Sequence, residues 1–291
     1  MATDLAALNN ATREKFVEAL AGIFERSPWV AEAVDRSRPF TDTAALHAAM
    51  FQAVLSADAE RQLELLRSHP DLAGKAALAG ELTAASSAEQ SGAGLDRLST
   101  AEFEAFQRLN RRYAERFGFP FILCVRRHTR DSILTQLERR GANDAEAERA
   151  TALAEVGRIA ALRLQDMLGG LDLAGRLSTH VLDTHAGTPA HGMALRLTEL
   201  ASRGNERMLY EATTNADGRT DEPLIADRPV PIGTYELDFD VAGYYRQRGV
   251  ALAEPPFLGV VTVRFSVAEP EQNYHVPLLT TPWSYSTYRG S

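Results

Sequence analysis

Nine of the thirteen prolines and seven of the eight tyrosines of this 291-residue chain lie in residues 176–291. A single fold running from end to end does not segregate residues in that way. Before the divide, Ala, Leu, Glu and Arg dominate, all good helix formers. Phe16, Leu20, Ile23 and Phe24 recur at helical spacing. Ser99-Thr100-Ala101-Glu102 has the form of a capping box and predicts a helix to about Phe117. Asn143-Asp144-Ala145-Glu146 opens another that runs to about Leu168. Leu82 to Leu98, rich in Ser, Ala and Gly and without an apolar stripe, reads as a loop. After the divide the apolar residues alternate: Met193, Leu195, Leu197; Tyr235, Leu237, Phe239, Val241; Val261, Val263, Phe265, Val267. That is the period of half-buried strands. Asn215-Ala216-Asp217-Gly218 marks a tight turn, and a short helix fits Ala242–Arg248. The expectation is an all-α helical bundle over residues 1–169, a glycine-flanked linker at 170–175 and an all-β antiparallel sandwich over 176–291.

The net charge of −8 is spread over both halves, and no basic stripe offers a nucleic-acid surface. No apolar run approaches the roughly 18 residues of a membrane span. The opening MATDLAALNN has no basic segment leading into an apolar one, so the cytoplasm is the expected compartment. One cysteine, Cys124, excludes an internal disulfide and a multi-cysteine metal site.

In the helical half, four constellations carry chemistry. In His69-Pro70-Asp71-Leu72, the proline forces His69 out of the helical region, leaving its imidazole either as a solvated helix end or at a site. Ser86-Ser87-Ala88-Glu89-Gln90 falls in the long Ser/Ala/Gly stretch, where a loop of that length is unusual without a function. Arg163 sits inside the stripe of Leu153, Val156, Ala160, Leu164 and Met167. A guanidinium on an apolar face requires an anion, supplied by a neighbouring helix or by a substrate. Phe117-Gly118-Phe119-Pro120-Phe121-Ile122-Leu123-Cys124 is an apolar segment entered by a Gly/Pro turn, suited to core packing or to offering backbone groups to a heterocycle.

Together these motifs resemble the 2-oxo-4-hydroxy-4-carboxy-5-ureidoimidazoline (OHCU) decarboxylases over about residues 10–168. The resemblance implies catalytic roles for His69 and Glu89, and substrate binding by Arg163. It also implies that Pro70, Ser86, Ser87, Ala88 and Gln90, with Phe119, Pro120, Phe121, Ile122 and Leu123, line the pocket. No cofactor is implied, because the ring C=N of such a substrate accepts the electrons that CO₂ leaves behind. Either His69 or Glu89 fits the delivery of the proton.

In the β half, Leu177-Ser178-Thr179-His180-Val181-Leu182-Asp183 and Tyr274-His275-Val276-Pro277-Leu278-Leu279 each read as a strand holding one histidine. Pro277 requires an edge or an irregular position. Arg219 follows the Asp217-Gly218 turn. A zinc site from His180, His275 and His185 or His191 is conceivable, but no carboxylate pattern supports it, and no metal is expected. With the terminal Tyr288-Arg289-Gly290-Ser291, these motifs resemble 5-hydroxyisourate (HIU) hydrolases of the transthyretin-like fold over residues 176–291. Thr280-Thr281-Pro282-Trp283 departs from the usual run, outside the matched site. The resemblance implies catalytic His180, Arg219 and His275, with Tyr288, Arg289, Gly290 and Ser291 closing the substrate pocket. It also implies assembly of the β half into a homotetramer, with room for dimer contacts through the helical half. The partners are then small purine-derived molecules, and the two halves would perform consecutive steps of urate breakdown, HIU to OHCU and OHCU to (S)-allantoin. Two readings compete: a transthyretin-like small-molecule carrier fused to a helical module, and an enzyme in which one half is an inactive oligomerisation scaffold.

Overall fold

The computed structural model describes residues 4–73, 82–201 and 206–290. Contacts divide the chain into two compact units, residues 1–126 with 133–172, and residues 127–132 with 173–291.

The first unit is helical. The Thr100–Phe117 helix begins at the predicted capping box, in which the Ser99 side chain accepts from the Glu102 N–H while the Glu102 carboxylate accepts from Ser99 N–H at 2.8 Å. The Ala145–Leu168 helix is capped by Asp144 and buries Leu153, Val156, Ala160 and Leu164 together with Arg163. Phe16, Phe24, Leu46, Met50, Leu65, Phe106, Tyr113 and Phe121 are wholly buried around it. The Ala59–Arg67 helix ends just before His69-Pro70. The stretch expected to be a loop instead contains a helix, Ala84–Gly92. Its sequence lacks an apolar face because its buried positions, Ser86 and Gln90, are polar. Tertiary hydrogen bonds stabilise it where hydrophobic burial would normally do so. Thr83, its N-cap, accepts from Ser86 N–H and donates its hydroxyl to Glu25 at 2.9 Å.

The strands of the second unit are β1 Gly175–Ser178, β2 Val181–Asp183, β3 Thr188–Pro189, β4 Ala194–Glu199, β5 Arg207–Thr213, β6 Ile225–Arg228, β7 Gly233–Asp240, β8 Val260–Val267, β9 Asn273–His275, β10 Leu278–Thr280 and β11 Tyr285–Thr287. Among the described residues they form three sheets, ordered β6-β1-β9, β11-β10-β2-β3 and β5-β4-β7-β8. The predicted short helix is Val241–Gln247. Inward residues of all three sheets, among them Leu177, Val181, Leu197, Leu237, Phe239, Val261, Tyr274 and Leu278, share one core, as in a sandwich.

The strands are not all antiparallel as expected. β1 pairs parallel with β9, and β2 parallel with β10. Each predicted strand is broken in the middle, at Thr179-His180 and at Val276-Pro277. The two breaks lie side by side, because Pro277 has no N–H to continue the ladder. Across them Val276 N–H donates to Ser178 O and Leu278 N–H to His180 O, both at 2.9 Å. The register sets Ser178 opposite His275.

Gly218 holds the Asn215–Arg219 turn against this pair, with φ of +69°. A Cβ there would lie 2.3 Å from Val181 O. Gly218→Ala is therefore expected to destabilise the β unit by more than the roughly 1 kcal/mol of an ordinary left-handed alanine, read as a fall in the temperature at which near-ultraviolet circular dichroism is lost. An unchanged midpoint would mean that the turn relaxes freely.

Candidate active sites

In the helical unit, a half-open cavity is lined by His69, Pro70, Leu72, Ser86, Glu89, Gln90, Phe121, Ile122, Leu123, Val125, Ile159 and Arg163. Nine of these are among the residues singled out from the sequence. Ser87 and Ala88 are not in the lining and are exposed. The reason is the unexpected helix: Ser86, Glu89 and Gln90 follow i, i+3, i+4 spacing and share a face, which turns the two intervening residues outward. Phe119 and Pro120 line a different, open groove with Arg67, Asp71, Ala114 and Gly118, and His69 borders both spaces.

Arg163 is the centre of the half-open site. Its Nε and Nη2 donate to the two carboxylate oxygens of Glu89 at 2.8 and 2.9 Å. Nη1 donates to Glu25 Oε2 at 3.0 Å and to Gly22 O at 3.1 Å, and Nη2 also reaches Ser86 Oγ at 3.3 Å. Five contacts match the five N–H groups of a guanidinium. The anion that Arg163 required is thus supplied by neighbouring elements of the chain. Glu25, which spacing did not single out, is almost wholly buried and also accepts from the hydroxyls of Thr83 and Ser86. Burial pushes its carboxyl upward, but Arg163 and the two hydroxyls outweigh burial and hold it below the usual carboxylate range. The only clue in the sequence was that Arg163 needed a partner. A partner 138 positions away leaves no periodic trace.

His69 is buried, with Nδ1 at 2.9 Å from Leu65 O. A carbonyl only accepts, so Nδ1 carries the proton and Nε2 keeps its lone pair. Burial lowers the imidazole pKa to about 4, against the smaller upward pull of the Leu65 carbonyl and Glu25. Gln90 fixes the neighbouring turn by accepting from Ala73 N–H at 3.0 Å.

In the β unit, the juxtaposed strand breaks bring the two histidines into contact. His180 Nδ1 lies 2.5 Å from His275 Nε2, and His275 Nδ1 lies 2.9 Å from Ser178 Oγ. This is a three-member relay whose first member was not assigned from the sequence. Burial, then the opposite imidazole and Arg219, lower His180; burial, then Arg219 and Arg176, lower His275. Arg219 pairs through its backbone with His180 at the end of the turn, and its side chain is exposed. Gly290 exchanges two backbone hydrogen bonds with His275 at 3.2 and 2.8 Å, and a Cβ on it would come within 3.1 Å of the His275 side chain. Arg289 instead turns to Gln272 at 2.6 Å and to the Tyr274 ring, while Tyr288 is exposed. Ser291 lies outside the described residues. Among the described residues no group of three or more His, Cys, Asp or Glu is placed to hold a metal ion, and no helix is long and apolar enough to cross a membrane. His185 packs edge-on against Tyr245 and Trp283.

Two units, each with its own fold and its own constellation, define a two-domain chain, and the family models match accordingly: OHCU decarboxylase over residues 9–165 and the HIUase/Transthyretin family over residues 177–290. The chain belongs to both families, one in each half. It is 47% identical over 162 residues to the 2-oxo-4-hydroxy-4-carboxy-5-ureidoimidazoline decarboxylase of Haloferax volcanii, covering 56% of this chain and 94% of that one. It is 52% identical over 117 residues to the 5-hydroxyisourate hydrolase of Ralstonia nicotianae, covering 40% of this chain and 99% of that one. Both halves together match a crystal structure of (S)-allantoin synthase at 34% identity and a TM-score of 0.53, covering 99% of this chain and all of that one.

The buried charge network yields a prediction. Arg163→Met removes the shared partner of Glu25 and Glu89 and should destabilise the helical unit by about 3–5 kcal/mol, seen as earlier loss of helical ellipticity in urea. Midpoints equal to the wild type would show that the carboxylates are relieved by solvent.

Proposed function

We propose that the chain is a bifunctional enzyme of urate degradation that hydrolyses HIU to OHCU in its β half and decarboxylates OHCU to (S)-allantoin in its helical half. The observation that carries this reading is that each half gathers its matched motifs into one constellation, His69 with Glu89 and Arg163, and His180 with His275 beside Arg219. The Ser178–His275–His180 relay favours hydrolysis over a carrier role, because an apolar ligand has no use for two hydrogen-bonded imidazoles.

In the β half, His275 donates through Nδ1 to Ser178 and accepts at Nε2 from His180 Nδ1. His180 Nε2 is then free to take a proton from water as it attacks the cyclic acyl group. The low pKa of both rings keeps them neutral, as a base must be. Arg219 offers an exposed guanidinium to the anionic substrate, and Gly290 keeps the His275 ring in place. The product carboxylate and ureido NH₂ arise from water and the broken C–N bond.

In the helical half, the C–C bond to the carboxylate breaks and its electron pair enters the ring C=N. The ring nitrogen that receives the pair takes a proton from solvent, the resulting enol loses its hydroxyl proton, and a proton is added to the ring carbon from one face. His69 Nε2 is placed to accept the hydroxyl proton. Arg163 holds the Glu89 carboxylate in a fixed orientation, from which it receives the ureido N–H groups. Phe121, Ile122, Leu123 and Ile159 give the departing CO₂ an apolar wall, where a carboxylate is poorly solvated and neutral CO₂ is not penalised. Arg163 binds substrate directly only if Glu89 releases it.

The same reading makes the chain a homotetramer through its β half. Supporting it are β8 and β11, which are sheet edges, and the exposed Val260, Trp283, Tyr285 and Tyr288 on or beside them. The acidic composition agrees with a cytoplasmic enzyme.

With HIU generated from urate by urate oxidase, the protein should produce two successive fast phases in ultraviolet absorbance, ending in optically active allantoin. His69→Ala should slow only the second by about 10²–10⁴-fold and His275→Ala only the first; loss of both phases in either variant would overturn the assignment of one reaction to each half. The pH profile gives a separate test. A His69 pKa near 4 keeps Nε2 unprotonated at neutrality, so kcat/KM for decarboxylation should stay level through pH 6.5 and fall only toward about pH 4. The unfolded chain takes this proton near 6.5, so the stability that neutral His69 contributes is complete above that pH and is lost as pH falls toward 4. An acid limb centred at 6.5 would contradict the buried, neutral imidazole.

A further inference from the structure

Residues 119–123 form neither helix nor strand and make no backbone–backbone hydrogen bond among the described residues, yet Phe119, Phe121, Ile122 and Leu123 are buried. Buried backbone without partners is costly, so whatever holds this segment determines its shape. Two charged side chains outside the cavity lining do so. Arg140 donates from Nη1 to Ile122 O at 2.9 Å, and its guanidinium lies 4.6 Å over the Phe121 ring. Its other nitrogens donate to Glu148 Oε1 at 2.8 and 2.6 Å, in a pair whose side chains are 3% and 0% exposed. Glu148 is held in turn by Asn143 Nδ2 at 2.7 Å and by the Tyr113 hydroxyl. One step further along, Glu155 Oε2 accepts from Cys124 N–H at 2.9 Å, while its Oε1 pairs with the half-exposed Arg158.

A carbonyl and an N–H two residues apart are thus gripped from outside the cavity. The backbone groups between them belong to Leu123, which with Phe121 and Ile122 lines the cavity. We propose that Arg140 and Glu155 are positioning residues of the decarboxylase site: they clamp the 121–124 backbone so that its remaining polar groups meet the heterocycle in one fixed register. Neither touches substrate. The proposal rests on the cavity beside His69 being the decarboxylation site.

Two fully buried ionic groups are expensive to place in a core, and an apolar pair of similar volume would often be as stable. Packing alone therefore does not account for them. A clamp does, because a directional bond fixes backbone position, and a misplacement of about 1 Å costs up to about 10²-fold in kcat/KM. The clamp should act on the bound ring in ground state and transition state alike, so its loss should appear in KM.

Glu155 gives the cleaner test, since its removal releases Arg158 to solvent, whereas removing Arg140 leaves Glu148 buried and unpaired. Glu155→Leu loses the acceptor for Cys124 N–H. Glu155→Asp keeps a carboxylate near Arg158 but withdraws it from Cys124. Glu155→Gln retains an oxygen that accepts from Cys124. Leu and Asp variants should raise KM for OHCU by about 10-fold or more with kcat within about twofold, and should weaken binding of (S)-allantoin in calorimetry to the same degree. Gln should restore wild-type KM. HIU hydrolysis on the same chain should be unchanged throughout. A wild-type KM in both Leu and Asp variants would overturn the proposal, as would a fall in kcat at constant KM or a failure of Gln to rescue. If Leu fails to fold, Asp decides alone. A wild-type chain that does not accelerate OHCU decay at all would instead refute the assignment of the cavity.

Discussion

A guanidinium inside a helical bundle must have every N–H satisfied, and the decarboxylase half is organised by meeting that requirement at Arg163. Its hydrogen bonds reach Gly22 and Glu25 near the N-terminus, and Ser86 and Glu89 on the Ala84–Gly92 helix. The Ala84–Gly92 helix has no apolar stripe to register it against the other two, since its buried positions are Ser86 and Gln90. The charge network sets their relative positions, and Ser68 extends it by donating its hydroxyl to Glu25 O at 2.7 Å, next to His69. The same network orients Glu89 and sits within electrostatic reach of His69. Stability and site geometry therefore depend on one set of contacts, and neither can be altered alone.

The β half meets a comparable demand with backbone. Two strands stop at the same level, and the unpaired groups at the stop are bridged by Ser178, His180, Val276 and Leu278. An uninterrupted ladder would send successive side chains to opposite faces. The interruption removes His180 and His275 from that alternation, so that their rings meet. Asp183, immediately beyond, accepts from the hydroxyls of Tyr244 and Tyr245 and from the N–H groups of His185 and Ala186, which anchors the far side of the break to the Val241–Gln247 helix and the following loop.

Much of this was legible in the residues. The Ser99 and Asp144 caps, the alternation of Tyr235 to Val241, and the placing of Arg163 on a buried face all follow from local rules that the structure obeys. The motifs also identified most of the cavity lining. What escaped depends on tertiary context. Ala84–Gly92 has weak local signals, and its helix is completed by a hydroxyl–carboxylate contact to Glu25. Ser87 and Ala88 were placed in the pocket because the resemblance covers the whole Ser86–Gln90 segment, whereas a helix presents only one face of it. The parallel pairing of β1 with β9 has no signature in either strand. Arg140 and Glu155 belong to no motif, and only the bonds to Ile122 and Cys124 distinguish them from solvated charges.

The contact between His180 and His275 joins residues 95 positions apart, and that between Arg163 and Glu25 joins residues 138 apart. Loop closure over such spans costs entropy that rises only as about (3/2)RT ln n, so distance in sequence adds little to the thermodynamic cost. It matters for time. Contacts of high separation form slowly relative to local helices and hairpins. On the ribosome, the helices and the antiparallel β4·β5 pair can assemble as they emerge, while both sites wait for their distant halves. A partly folded or partly synthesised chain therefore has much of its secondary structure and no chemistry, and catalytic competence reports that each unit has closed.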